Sequence, residues 1–368
     1  MDYLQRPKFH YRPQRGWIND PNGLVYFKGR YHVFYQHAPA SETPWAQPMH
    51  WGHAVTEDFL HWQELPPALC PDREYDRSGC WSGTAVVKDD VLYLFYASVT
   101  SPEGSEEKIQ TVSMAYSRDG IHFEKYSGNP VIGGYPAEGG PDFRDPAVCC
   151  IHGEYYCVMA TGHPETKTAR LLLYHSTDLM HWDYRGIMCR WEQCVFAECP
   201  SFVQAGKDGF VLSVSVCPLE GERYFTVMQG DFDGYVFTPK CTARVDEGPD
   251  CYAGQLFGDH RGRIILISWL PGWDYAGFAE RDIGCMSVPR EIRLSEDGIT
   301  AWPTEELCPM LTDADPCLER TDEGFVVRRE GRTPVVHRGE ISDIRIIRDG
   351  YIAEIFVNGG RQVYSVLL

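Results

Sequence analysis

A turn of the form Ser/Thr-x-Asp-x-x-x-aromatic recurs along this chain at a step of about sixty residues, and a period of that length points to a repeat architecture. Three copies are close: Thr56-Glu57-Asp58-Phe59-Leu60-His61-Trp62, Ser117-Arg118-Asp119-Gly120-Ile121-His122-Phe123 and Ser176-Thr177-Asp178-Leu179-Met180-His181-Trp182. A looser copy runs from Asp233 to Phe237, and a fifth, one residue longer, from Asp297 to Trp302. The same elements precede each turn. A hairpin pattern comes first, at Leu24–Tyr35, Ala85–Tyr96, Ala147–Met159, Phe202–Val214 and Leu256–Ile267, with a Gly or Asp at its bend. A third apolar run follows, at His50–Val55, Thr111–Tyr116, Arg170–His175, Tyr224–Gln229 and Ile283–Val288. Beyond the turn lies a short outer strand. Four antiparallel strands repeated radially make a propeller blade. The expected fold class is therefore all-β: a five-bladed β-propeller over residues 1–305, followed by a small, truncated β-sheet or sandwich appendage over 306–368. A large two-sheet sandwich would not repeat its turn chemistry at this spacing.

Three carboxylates fall in phase with the repeat. Asp20 (in Trp17-Ile18-Asn19-Asp20-Pro21-Asn22-Gly23), Asp145 (in Phe143-Arg144-Asp145-Pro146) and Glu198 (in Glu198-Cys199-Pro200) each lie shortly before a hairpin. Taken alone, Asn-Asp-Pro-Asn-Gly is a good turn sequence and nothing more. At a shared phase, the three acids start the innermost strands of three different blades and converge on one pocket. Carboxylates gathered together cannot all ionise freely, so at least one should hold its proton more tightly. A proton donor beside ionised partners is the acid–base arrangement of glycosidases. Trp17, Trp45, Trp51, Trp81, Trp191 and Trp269 flank these regions, and such rings stack on the CH faces of sugars.

Composition narrows the partners. A formal charge of −18 argues against nucleic acid and anionic membrane surfaces as ligands. No run is long enough to span a bilayer, and Met1–Pro7 carries no apolar stretch of the kind that opens an export signal. The expectation is a cytoplasmic protein whose fourteen cysteines are reduced and serve as small apolar groups. There is no C-x-x-C pair, so no metal and no cofactor is expected.

These motifs, in this order, resemble the signature boxes of glycoside hydrolase family 32, the β-fructosidases. Phe34-Tyr35-Gln36, His50-Trp51-Gly52-His53-Ala54, Gly79-Cys80-Trp81-Ser82-Gly83, Asp250-Cys251-Tyr252-Ala253 and Pro289-Arg290-Glu291 extend the likeness across all five repeats. The resemblance implies a five-bladed propeller followed by a sandwich, and cleavage with retention of configuration. It implies Asp20 as nucleophile, Glu198 as general acid/base, and Asp145 as the acid that orients fructose hydroxyls. Arg144 would help hold the acid/base. Asn19, Gln36, Trp45, Trp81 and Ser82 match positions lining the fructose pocket, and Asp250 and Tyr252 are counted with them as substrate-binding. The implied partner is a small fructoside such as sucrose, sucrose 6-phosphate or a short fructo-oligosaccharide.

Two departures stand out. Ser201 follows the Glu-Cys-Pro box where the family usually has an acid, and Phe196-Ala197 precedes it where Met-Trp is common. Both are expected near the leaving group, whose identity they leave open. The C-terminal segment is also roughly half the family's usual sandwich. A single sheet built from Phe325–Arg329, Ile344–Ile347, Tyr351–Val357 and Gln362–Leu367 would expose apolar groups on one face, and so the chain is expected to form a homo-oligomer there. Two alternatives stay open: a fructosyltransferase using the same intermediate, and a catalytically weak fructoside-binding protein. A related five-bladed family of arabinanases and xylosidases lacks the Trp17–Gly23 box.

Overall fold

The computed structural model describes residues 6–105, 107–207, 209–273, 284–329 and 331–368. It is an all-β protein. Among the described residues the helical structure is limited to three short 3-10 segments, at Glu74–Asp76, Glu305–Met310 and Asn358–Gly360. No described helix is long and apolar enough to cross a membrane.

Five antiparallel meanders follow one another. Sheet I comprises Trp17–Phe27, Arg30–Ala38, His50–Thr56 and Gln63–Leu69; sheet II comprises Gly79–Lys88, Val91–Thr100, Ile109–Ser117 and Glu124–Lys125. Sheet III comprises Arg144–Ile151, Glu154–His163, Thr168–Ser176 and Asp183–Glu192. Sheet IV comprises Cys194–Ala205, Gly209–Pro218, Tyr224–Phe232 and Phe237–Ala243. Sheet V comprises Tyr252–Gly258, Ile264–Leu270, Arg290–Ser295 and Gly298–Pro303, with the short strand Cys285–Met286 also on Ile264–Leu270. The first strand of each sheet packs on the first strand of the next, and that of sheet V packs on that of sheet I.

Apolar layers fill the gaps between successive sheets. Phe34, Trp51 and Leu94 lie between I and II, Phe95, Met114 and Leu172 between II and III, and Val158, Leu171 and Leu212 between III and IV. Middle strands are thus buried on both faces, which is why runs such as Leu92-Tyr93-Leu94-Phe95-Tyr96 read as nearly continuous apolar sequence rather than as an alternation.

The repeated turn has one geometry. Asp58, Asp119 and Asp178 each use Oδ1 to accept the backbone N–H groups two and three residues on, at 2.8–3.0 Å. Oδ2 of each meets the Nδ1 of His61, His122 or His181 at 2.7 Å. Thr56, Ser117 and Ser176 accept a backbone N–H from the residue three positions on, at 2.9 Å. Asp233 repeats the backbone part, accepting from Tyr235 and Val236. The fifth copy differs. Asp297 sits in the tight turn between the last two strands of sheet V and pairs with Arg361 at 3.1 Å. The third strand of that sheet is Arg290–Ser295; the run expected over Ile283–Val288 starts outside the described residues and contains only Cys285–Met286 as strand.

The C-terminal region corrects the single-sheet expectation. It holds two three-stranded sheets: Leu318–Thr321, Gly324–Val327 and Val335–Arg338 in one, Ile344–Asp349, Ile352–Val357 and Gln362–Leu367 in the other. Phe325, Val327 and Val335 of the first cover Ile346, Ala353, Ile355 and Val357 of the second. The opposite face of the second sheet, with Ile347, Phe356 and Val363, packs on Ala301, Trp302 and Leu307 at the edge of sheet V. The apolar face reserved for a partner is covered by the chain itself.

Candidate active site

Every first strand slips its register at one level. The irregularities fall between Ile18 and Pro21 in sheet I, Cys80 and Gly83 in sheet II, Arg144 and Ala147 in sheet III, Glu198 and Ser201 in sheet IV, and Tyr252 and Gln255 in sheet V. A bulge re-aims the side chains it carries, and proline, which has no N–H for the ladder, is at home in one. Pro21, Pro146 and Pro200 stand at three of these places, which explains why each acid is followed by proline at once or after one residue. Asp145, Cys199 and Ala253 take φ of 58°, 48° and 50°, a left-handed backbone that non-glycine residues adopt at some strain.

The bulges deliver Asp20, Asp145 and Glu198 to one cavity of about 560 Å³. Asn19, Gln36, Trp45, Trp81, Ser82, Arg144 and Tyr252 line it too, as expected. Ser82 Oγ donates to Asp20 Oδ2 at 2.9 Å, and the Cys199 thiol lies 3.4 Å from the same oxygen. Cys199 N–H donates to Asp145 Oδ2 at 2.8 Å, so one buried residue links two of the acids. Glu198 is held from two sides. Arg144 Nη2 donates to Oε1 at 3.0 Å and the Tyr252 hydroxyl to Oε2 at 2.7 Å. Trp17 Nε1 donates to Asn19 Oδ1 at 2.7 Å, and Gln36 Nε2 donates to the Cys80 carbonyl at 3.1 Å. Trp45, 49% exposed, stands at the mouth beside Trp17.

Burial pushes the Asp20 carboxyl up, and the charge of Glu198 adds to it against the hydrogen bonds from Asn19, Ser82 and Cys199. Burial also raises Asp145, to about 7; Arg144 opposes this, while Glu198 and Asp20 reinforce it. Two of the three acids therefore hold protons more tightly than free carboxyls, as crowding requires. This has a consequence for stability. An unfolded Asp releases its proton near pH 4, whereas the folded chain keeps it on Asp145 to about 7, so the fold loses stability as pH climbs between those values. An amide in place of this carboxyl does not titrate. The melting temperature of Asp145→Asn should match wild type near pH 4 and exceed it by several degrees at pH 8. A gap independent of pH would refute the coupling.

Three sequence expectations need correction. Asp250 is buried away from the cavity, where Oδ2 accepts from Leu367 N–H at 2.9 Å and Arg329 Nη2 at 3.2 Å; it precedes the strand that starts at Tyr252 and anchors the C-terminal sheets instead. Trp191 lies in an outer groove with Ile187 and Phe237. Ser201 is buried, accepting Leu256 N–H at 2.9 Å, so it faces sheet V and not a leaving group. Sequence reasoning also missed lining residues: Gln47, Lys108, Arg223 and Trp273. Arg223 and Lys108 lie in connections between second and third strands, outside any motif; their common place in the repeat was the available signal. Among the described residues no cluster of three or more histidine, cysteine or carboxylate groups is arranged to hold a metal ion.

Residues 10–303 match the glycosyl hydrolases family 32 N-terminal domain. Sucrose-6-phosphate hydrolase of Escherichia coli is 36% identical over 315 residues, which is 82% of this chain and 65% of that protein. The chain thus spans just under two thirds of that relative's length. Among solved structures, a Bombyx mori GH32 beta-fructofuranosidase, one mutant of which was solved in complex with sucrose, superposes with a TM-score of 0.84 at 28% identity, covering 99% of this chain and 89% of that one. A sucrose-6-phosphate hydrolase from Lactobacillus gasseri shares the fold, with a TM-score of 0.86 at 23% identity over 99% and 88% of the two chains. With the acids in one cavity and a family match over most of its length, the chain belongs to glycoside hydrolase family 32.

Proposed function

We propose that the chain is a retaining β-fructofuranosidase that releases fructose from sucrose, sucrose 6-phosphate or short fructo-oligosaccharides by double displacement. The observation that carries this reading is the meeting of Asp20, Asp145 and Glu198, from three separate sheets, in one cavity lined by indole rings. Asp20 attacks the anomeric carbon and forms a fructosyl ester, its carboxylate oriented by Ser82 and Cys199. Glu198 protonates the departing oxygen and then takes a proton from the water that cleaves the ester. Asp145 orients fructose hydroxyls, and the anionic floor stabilises the oxocarbenium-like transition state.

In this reading sheets I to V are the blades of a five-bladed propeller over residues 1–305, supported by the closed succession of first-strand contacts. Residues 306–368 then form a reduced sandwich. A cytoplasmic, reducing setting belongs to the same proposal, supported by Cys80, Cys157 and Cys285, which pack as small apolar groups. Homo-oligomer formation is retained in narrower form. The covered face leaves the outer strands Leu318–Thr321 and Val335–Arg338 to make the contact, and light scattering that reads a monomer would remove it.

Sugar analysis after incubation with sucrose, sucrose 6-phosphate, kestose and inulin tests the activity. Free fructose, formed first as the β-anomer, is the expected product. Release from none of the four would reject the proposal, and transfer products outweighing fructose at high sucrose would favour a fructosyltransferase.

A further inference from the structure

We propose that Asp142 is a positioning residue that acts through Arg144 to keep Glu198 able to hold the proton it must deliver. This rests on the fructosidase reading and deepens it. One guanidinium joins the two carboxylates: Arg144 Nη1 donates to Asp142 Oδ1 at 2.7 Å and Nη2 to Glu198 Oε1 at 3.0 Å. The fork is planar, so the nitrogen fixed on Asp142 decides where the other one points. Asp142 is itself held on both sides. The Pro141 carbonyl before it accepts Gln110 Nε2 at 2.6 Å, and Phe143 after it is wholly buried. Phe196, one of the two departures from the family pattern, covers the guanidinium with its ring centroid 4.8 Å away. The Arg144 side chain is 10% exposed against 45% for Asp142, so a carboxylate at the cavity edge orients a cation inside it.

Charge decides what this does to Glu198. A general acid must be protonated when substrate binds. Arg144, the Tyr252 hydroxyl on Oε2 at 2.7 Å and Arg223 at 4.0 Å all favour the ionised form. Asp20 of sheet I and Asp145 of sheet III oppose it. The Cys199 thiol, pushed up by burial, carries no charge, and Glu107 and Lys108 line the sheet II side of the cavity with opposite signs. Asp142 takes up part of the Arg144 charge. Against burial, Glu198, Asp145 and Asp142 together hold Arg144 protonated, so one cation serves three carboxylates. Without Asp142 the fork is free to close on both oxygens of Glu198, a bidentate grip that keeps a carboxylate ionised.

The test is the pH profile of kcat/KM on sucrose. Its alkaline limb marks the loss of the Glu198 proton, and Glu198→Ala, assayed on an aryl fructofuranoside, should lack that limb. In Asp142→Asn the limb should move to lower pH by about half to one unit, a modest size because the charge is partly exposed and acts at one remove. The acidic limb, where Asp20 takes up a proton, should move less. Above the optimum the variant should lose about three- to tenfold on sucrose, and less on the aryl fructofuranoside, whose leaving group needs little protonation. Asp142→Glu, which keeps the charge, should bring the limb back toward wild type. If the limb of Asp142→Asn coincides with that of wild type, the proposal is overturned while the fructosidase reading stands. So it is by an equal loss on both substrates at every pH, which would make Asp142 a support for the fold alone. A limb that persists in Glu198→Ala would belong to another group and overturn it too. Wild type that cleaves neither substrate removes both readings.

Discussion

Asp20→Ala should lower kcat on sucrose by about 10⁴-fold or more and leave the protein folded. The nucleophile acts through a bond that forms only in the reaction, so its loss falls on kcat and not on substrate binding. The fold has reason to tolerate the change. Asp20 is a half-buried carboxyl whose charge helps to raise Asp145, so removing it relieves repulsion. Melting of Asp20→Ala at or above the wild-type temperature at neutral pH would separate lost chemistry from lost structure. Glu198→Ala should also lose activity on sucrose, by about 10²- to 10⁴-fold, the range for a general acid. On an aryl fructofuranoside, whose leaving group needs little protonation, Glu198→Ala should recover much of the rate of ester formation, and Asp20→Ala should recover none. If Glu198→Ala hydrolyses sucrose at near wild-type rate, another residue supplies the proton.

The repeat was legible because its chemistry is local. Thr56, Asp58 and His61 satisfy one another within a single turn, so sequence spacing alone specifies the geometry, and Ser117 and Ser176 start the same pattern. Asp297 misled for the same reason: its spacing resembles the others, but its partner is Arg361, which no local pattern reveals. The three acids were legible through their phase and their prolines. What the motifs did not show is the bulge common to all five first strands, which turns shared phase into shared direction.

The remaining misses are long-range. Asp250 reads as a pocket residue because it stands two residues before Tyr252, which does reach the pocket; its partners Arg329 and Leu367 lie far along the chain. The separate C-terminal sheet around Gly324–Val327 escapes sequence reading because its outer strands, Leu318-Glu319-Arg320-Thr321 and Val335-Val336-His337-Arg338, have four residues each, too short for a period-2 signal. Arg223 and Lys108 lie in connections, where side-chain direction depends on the fold and not on any repeat.

Glu354→Ala should lower the melting temperature far more than any surface substitution and reduce the yield of folded protein. Glu354 is wholly buried and joins three parts of the chain. Its Oε1 meets His10 Nε2 at 3.0 Å and accepts Val288 N–H at 2.7 Å; its Oε2 accepts from Arg290 at 2.6 and 3.0 Å. Arg290 also bonds Asp246 and Ser365, and His10 Nδ1 lies 3.0 Å from Asp349, so the N-terminal segment, sheet V and the C-terminal sheets share one network. Removing Glu354 leaves the buried Arg290 with Asp246 and the buried His10 with Asp349 as their remaining carboxylate partners and leaves Val288 N–H unsatisfied, and breaking a buried pair in this way costs about 3–5 kcal/mol. That is a large part of the roughly 5–15 kcal/mol that typically holds a domain folded. Asp297→Ala, which breaks the exposed pair with Arg361, provides the contrast at under about 1 kcal/mol. The pH dependence has a defined sign. Against the upward push of burial, Arg290 and His10 hold Glu354 below its ordinary value and His10 holds Asp349 at about 2. These carboxylates therefore stabilise the fold above about pH 4 and lose that contribution as pH falls. Burial lowers His10, but the two carboxylates outweigh it and raise the group; it contributes below about pH 6.5 and loses that contribution as pH rises through its folded value. Glu354→Ala should fall furthest behind wild type between about pH 4.5 and 6.5. A variant that melts within a degree or two of wild type in that window would show that the network contributes little to stability.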